Sequence, residues 1–382
     1  MIEYLGLGMI VTWMLSMLVF AVVCSPAMAH ALAFDNEGHA MGAFARKAAW
    51  HRLGHVHHDL MAPHEALTLG RLDWLVEKFP MFIRDKLGKE IEVPGTFAVC
   101  REEDGDLIPI TRNGKAVGPR YTTFQNWECF EFLEELLETN GAMIEACGAL
   151  GVGEKVWALA RMPEYMVLNG VDKICSYILI TTSHDGSGAI TVMPTNIRVV
   201  CQNTLSMALN RKDTKKFHMR HTASVRTKVA QCAEAIGLTR EKFVVSAQLF
   251  GAMTTVNMSV EDAVDYFKHV LKVEKTDSGE WVEMTSRQKN QVADMVHSFV
   301  NESTNNIAGA KGTLWGAYNA VSFVIDHVNV ANSTVPEKAL VSAVQGTGND
   351  RKVRAYERAM EICNEEGDVS DEMVEVQVEA LA

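Results

Sequence analysis

A chain of 382 residues with 48% hydrophobic and 22% charged residues is long and apolar enough to bury a sizeable core, which excludes a disordered polypeptide. Its formal net charge of -12 excludes a uniformly basic nucleic-acid coat and leaves room for a local basic patch. The eight cysteines are scattered with no C-x-x-C pair, a pattern of reduced core thiols in a cytoplasmic protein that argues against a cysteine-built zinc site.

From Tyr4 to Phe34 there is no charged residue, and Leu5 to Val23 is almost wholly apolar, about the length that spans a bilayer. Ala27-Met28-Ala29 resembles a signal cleavage site, yet the preceding stretch carries Glu3 and no Lys or Arg. The expectation is an over-extended start with Met28 as the true first residue. An exported or membrane-anchored protein is the alternative.

Next, Trp50, His51, Gly54 and His55 to His58 read as a loop with a Trp anchor and exposed histidines, and no carboxylate or cysteine stands at an offset that would complete a metal site with His51 and His55. Pro63 to Phe79 has helical apolar spacing, with Pro80 as its stop. From Thr96 the period shifts toward two. Thr96 to Arg101, Leu107 to Thr111 and Lys115 to Thr123 are predicted strands, joined by Glu103-Asp104-Gly105-Asp106 and Asn113-Gly114.

Asn126 to Asn140 is a predicted helix stopped by Gly141, followed by strands Met143 to Leu150 and Lys155 to Arg161 around Gly151-Val152-Gly153. Ile174 to Thr182 and Ala189 to Met193 form a predicted hairpin through Ser183-His184-Asp185-Gly186. Ser183, His184 and Asp185 are a nucleophile, base and acid in name only, because adjacent residues on a turn do not make a triad. Asn203 to Asn210 is expected to begin a helix, His218 to Thr222 to be a strand and Ser224 to Ile236 a helix. Beyond Thr239, predicted helices cover Lys242 to Met253, Ser259 to Leu271, Ser286 to Asn301 and Thr313 to His327. The last 20 residues carry seven acids and no Lys or Arg, as a solvated tail does.

The best-supported functional feature is basic. Between Arg198 and Lys228 lie Arg198, Arg211, Lys212, Lys215, Lys216, Arg220, Arg226 and Lys228 against one acid, Asp213. Such an inversion in an acidic chain suggests a phosphate-contacting surface, with Trp127 or Trp157 available to stack on bases. A solvated, solubilising loop is the competing reading.

The segments around Trp50-His51-Arg52-Leu53-Gly54, Thr182-Ser183-His184-Asp185-Gly186-Ser187, Arg198-Val199-Val200-Cys201-Gln202-Asn203-Thr204 and Gly312-Thr313-Leu314-Trp315-Gly316-Ala317-Tyr318-Asn319 together resemble the phage/plasmid-like protein family, a domain of unknown function. The resemblance runs from about Met28 to about Glu361. Trp50, His51, Gly54, His184, Asp185, Gly186, Cys201, Asn203, Trp315 and Asn319 are the residues that carry it. It implies a mobile-element setting and assigns no reaction, cofactor, metal or catalytic residue.

The expected architecture is α+β: a leader (1–27), a helical N-terminal segment (28–95), a core with a central mostly antiparallel sheet and packed helices (96–238), a mainly helical part (239–362) and an acidic tail (363–382). The leading functional expectation is a phage or plasmid accessory protein that binds DNA, single strands included. The alternatives are an enzyme acting on nucleotides or nucleic acid through His184, Asp185 and residues such as His327, and a protein-binding inhibitor of a host factor.

Overall fold

The computed structural model describes residues 32–46, 54–110, 116–186, 188–198, 204–205, 217–219, 221, 243–333, 342, 347–366 and 374–378. The expected leader and the helix over Ser224 to Ile236 lie outside them. Among the described residues, no helix is long and apolar enough to cross a membrane.

The fold is α+β. Its main element is a nine-stranded sheet in which β10, β9, β8, β7, β6, β1 and β2 lie side by side, with β11 also pairing β9 and β12 also pairing β7. The strands are β1 (Gly42–Ala45), β2 (His55–His57), β6 (Met143–Leu150), β7 (Lys155–Leu168), β8 (Asp172–Ser183), β9 (Ile190–Arg198), β10 (Thr204–Leu205), β11 (Phe217–Met219) and β12 (Val374–Val378). All pairings are antiparallel except β1 with β2. The apolar runs of β7 and β8 are long because both faces are covered, so their sequences show little alternation.

A smaller sheet of β3 (Leu75–Arg84), β4 (Glu90–Glu103) and β5 (Asp106–Pro109) stands beside it. Here the structure corrects the helix expected over Pro63 to Phe79. Helix α1 covers only Pro63–Leu69, Gly70 caps it, and Arg71 turns out of it at φ 53°. The chain then becomes strand, and Pro80 sits inside β3. Pro is tolerated there because β3 is an edge strand, where one row of N–H groups needs no ladder partner. The expected helical N-terminal segment therefore holds more strand than helix among its described residues. Asp104 and Gly105 take positive φ (52° and 86°) in the two-residue turn between β4 and β5, as the Asp-Gly pair predicts.

Two apolar cores meet along the large sheet. The first packs Ile144, Val156, Ile178 and Val192 from the sheet against Ala66 of α1, Phe130 and Leu133 of helix α2 (Asn126–Asn140), and Val76 and Val99 of the small sheet. The second joins Met166, Leu168 and Ile174, at the far ends of β7 and β8, to the C-terminal helices. Those helices are α3 (243–253), α4 (Val260–Val270), α5 (Ser286–Asn301), α6 (Leu314–Phe323) and α7 (Thr347–Glu366). Ser259 and Asp262 cap α4 reciprocally, as do Thr285 and Gln288 for α5. After Phe323 the helix widens into a π turn, Val324–Val328. There Lys352 from α7 donates to Asp326 at 2.7 Å, with both side chains 2% exposed.

Two more expectations change. Thr204 and Leu205, placed in a helix by their spacing, form β10 against Ile197 and Asn196, so the pairing edge of β9 overrides local preference. Part of the acidic tail is likewise not free, since Val374–Val378 pairs with Glu164–Leu168 of β7. The described cysteines Cys100, Cys129, Cys147, Cys175 and Cys363 are all buried.

Candidate functional site

The Ser183-His184-Asp185-Gly186 turn is built into the first core. His184 is fully buried, its backbone N–H donates to Glu154 O at 2.8 Å, and its ring stands edge-on to Trp74 with centroids 5.6 Å apart. Asn126, at the start of α2, holds the imidazole. Its Nδ2 donates to Leu72 O at 2.9 Å, which turns Oδ1 toward His184 Nε2 at 2.8 Å. His184 is thus the Nε2–H tautomer, and its Nδ1 has no hydrogen-bond partner.

Burial pushes the His184 imidazole down to about 3, and the neighbouring His221 adds to the fall while Asp185 opposes it. His221 is itself pushed down to about 4 by burial. Tyr121 stacks on His221 (5.0 Å between centroids) and donates its hydroxyl to His184 O at 3.1 Å. Ser183 Oγ donates to Asp185 rather than to His184. Nucleophile, base and acid therefore do not align. The turn ties the large sheet to α2 and the small sheet.

Trp74, the neighbouring Tyr121 and Asn126, and His221 come from three separate stretches of the chain, and no spacing in the sequence links them to His184. Glycine geometry explains two other motif positions. A Cβ on Gly186 (φ 70°) would stand 2.9 Å from Val117 Cγ1, and one on Gly54 (φ 81°) only 2.6 Å from Gly42 O. Trp315 Nε1 donates to Asp172 Oδ2 at 2.8 Å, joining α6 to the start of β8, and Asn319 Nδ2 donates to Trp315 O at 2.8 Å. Of the described motif residues, His184, Asp185, Trp315 and Asn319 are buried at junctions of the fold, and Gly54 and Gly186 make its tight turns. Trp50, His51, Cys201 and Asn203 lie outside the described residues.

The basic segment is described only at its edges. Arg198 ends β9 opposite Ile174, while Arg211, Lys212, Lys215, Lys216, Arg220, Arg226 and Lys228 lie outside the described residues. β10 pairs with Asn196 and Ile197, and β11 pairs with Ile190 to Val192. β10 and β11 therefore lie against opposite ends of β9. Trp127 is exposed on α2, whereas Trp157 is 2% exposed and cannot stack on a base.

His55, expected in a loop or on a helix face with His51, is an exposed residue of β2. The described residues do bring Asp35, Glu37 and His39 within 4.8 Å of one another. Asp35 is committed elsewhere, however: Oδ1 accepts from the backbone N–H groups of Glu37 and His39, and Oδ2 pairs with Arg71. These residues border an open cleft of ≈ 890 Å³ at the base of the small sheet, also lined by Asp73, Trp74, Leu75 and Glu102 to Asp104.

A family model described as a domain of unknown function (DUF932) matches residues 115–360, which takes in β6 to β11 and the C-terminal helices but neither β1 to β5 nor β12. No curated protein and no solved structure matches the chain.

Proposed function

Since the chain belongs to this family of domains of unknown function, which brings no reaction with it, we propose a function from its charge: an accessory protein of phage or plasmid type that binds DNA through backbone phosphates, single strands included. The observation that carries this reading is the surplus of seven positive charges between Arg198 and Lys228 in a chain of net charge -12. A stretch so different from its surroundings attracts a polyanion by counterion release, whatever the charge of the whole protein. Support also comes from the pairing of β10 and β11 with one strand, which starts and ends the stretch holding Arg211, Lys212, Lys215 and Lys216 on β9. Trp127, exposed on α2, is the aromatic available to a base.

An enzymatic reading through His184 and Asp185 gains no support. His184 is fully buried and neutral, and His327 belongs to the helical half of the molecule, against Phe323.

The test is anisotropy of a labelled single-stranded oligonucleotide over a salt series. Affinity should fall as salt rises, with a log–log slope of about 0.7 per phosphate contact on a single strand. Changing Lys212, Lys215 and Lys216 together to Glu should abolish most of the binding and flatten that slope by about 2. Absence of binding at low salt, or affinity unchanged in the triple variant, would end the proposal.

A further inference from the structure

The small sheet ends in an arm. From Met81 to Glu92 the β3–β4 hairpin is exposed along nearly its whole length, and its apolar residues face water: Phe82 is 53% exposed, Ile83 58% and Leu87, at the tip, 93%. A bare two-stranded ribbon is at best marginally stable in water, and apolar side chains at its tip gain nothing from solvent. The tip also carries Lys86 and Lys89, both exposed and without an ion-pair partner among the described residues, whereas Arg84 is paired with Glu90.

At the other end of the same strands lies the open cleft. Six carboxylates line it against one arginine, and Asp73, Glu102 and Asp104 have no ion-pair partner among the described residues. Exposed Phe34 and Leu75 give it an apolar lining as well. From Asp85 to Lys89 two lysines stand against one acid, Asp85, which accepts from the backbone N–H groups of Leu87 and Lys89, so the tip carries a surplus of one positive charge and complements the cleft in charge and in apolar character.

They cannot meet within one molecule. β3 runs ten residues from cleft to tip, roughly 30 Å at the rise of a strand. We infer that the arm docks into a second copy of this chain, with Leu87 on the apolar lining of the other copy's cleft and Lys86 and Lys89 on its unpaired carboxylates. Exchange in both directions satisfies both arms and closes the assembly as a two-fold dimer. Pro80 and the hydrogen bonds of Gln125 to both backbone groups of Val76 block a continuous strand ladder along β3, so tip and cleft carry the contact. A nucleic-acid groove is a poorer occupant. From Lys78 to Glu92 four cations stand against three acids, and one of the cations, Lys78, already donates to Pro119 O and Tyr121 O.

Analytical ultracentrifugation of the full chain over a range of concentration and salt tests this. The expected result is a dimer at low salt that weakens as salt rises. Leu87→Asp, and the pair Lys86→Glu with Lys89→Glu, should each raise the dimer dissociation constant at least tenfold. Circular dichroism should stay unchanged, because all three side chains are exposed. The cleft pair Glu102→Lys with Asp104→Lys should do the same. Mixing the charge-reversed tip protein with the charge-reversed cleft protein should restore dimers, since both contacts are then again complementary. A monomer at every concentration overturns the inference, as does a dimer indifferent to all these changes. So does a tip variant that alters binding to DNA or to lipid vesicles while leaving the oligomeric state alone.

Discussion

His184 is uncharged in the folded protein near neutral pH, so its proton uptake belongs to the unfolded chain. Its folded value of about 3 and that of His221, about 4, both lie below the ordinary 6.5. Their contribution to stability is therefore complete above pH 6.5 and is lost as pH falls toward the folded values, because only the unfolded state takes up protons in that interval. Urea denaturation of the parent and of His184→Gln should show a stability difference that is largest at pH 7.5. It should shrink by about 2 kcal/mol at pH 5, the linkage expected for one buried imidazole. A difference that does not change with pH would contradict a buried neutral His184. At the glycines, Gly54→Ala meets both a positive φ and the Gly42 carbonyl, whereas Gly88→Ala meets a positive φ (82°) with nothing within 4 Å. Melting experiments should find the first variant destabilised by about 2 kcal/mol more than the second. The Ser-His-Asp order is visible in the sequence. Its meaning is not, because Asn126 and Trp74, which hold the imidazole, are 58 and 110 residues away.

Among the elements, the ones whose pattern agreed with their surroundings were legible. Helix α2, strands β6 and β8, and the capped α4 and α5 follow from period, turn residues and caps. The stretch from Pro63 to Phe79 was not, because Leu72 and Val76 fit a helical period equally well until β4 pairs with Leu75–Arg84. Helix α6 has no polar face to orient it, and its direction is decided by Trp315 reaching Asp172 and by the Asp326–Lys352 pair beyond it. Removing one member of that pair leaves the other charge buried. Asp326→Ala should cost about 3–5 kcal/mol in denaturant unfolding, whereas breaking the exposed Lys289–Glu283 pair by Glu283→Ala should leave the unfolding curve essentially where it is. Equal costs would show that Lys352 finds other compensation.

On the scale of the whole molecule, β7 and β8 both contribute to the two cores, and β7 is also where the tail joins the sheet. Its first half pairs with β6, its second half with β12, and β8 lies along its other side. Deleting residues 367–382 removes β12 and leaves the edge from Glu164 to Leu168 without its partner. The truncated protein should melt about 1–3 °C lower, as loss of about 1–2 kcal/mol does in a chain of this size, and should aggregate sooner on heating. An unchanged transition would mean that β12 adds nothing to the sheet. The sequence by itself determined the α+β class, the hairpins, the capped helices and the local reversal of charge, because period, turn chemistry and charge are properties of neighbouring residues. Only the tertiary structure decided that His184 is a buried strut, that part of the acidic tail is a strand, and that an apolar arm tipped by two lysines and an acidic cleft lie at opposite ends of one small sheet. Each of these depends on contacts between distant residues, and burial, pairing and reach exist only once those residues have been brought together.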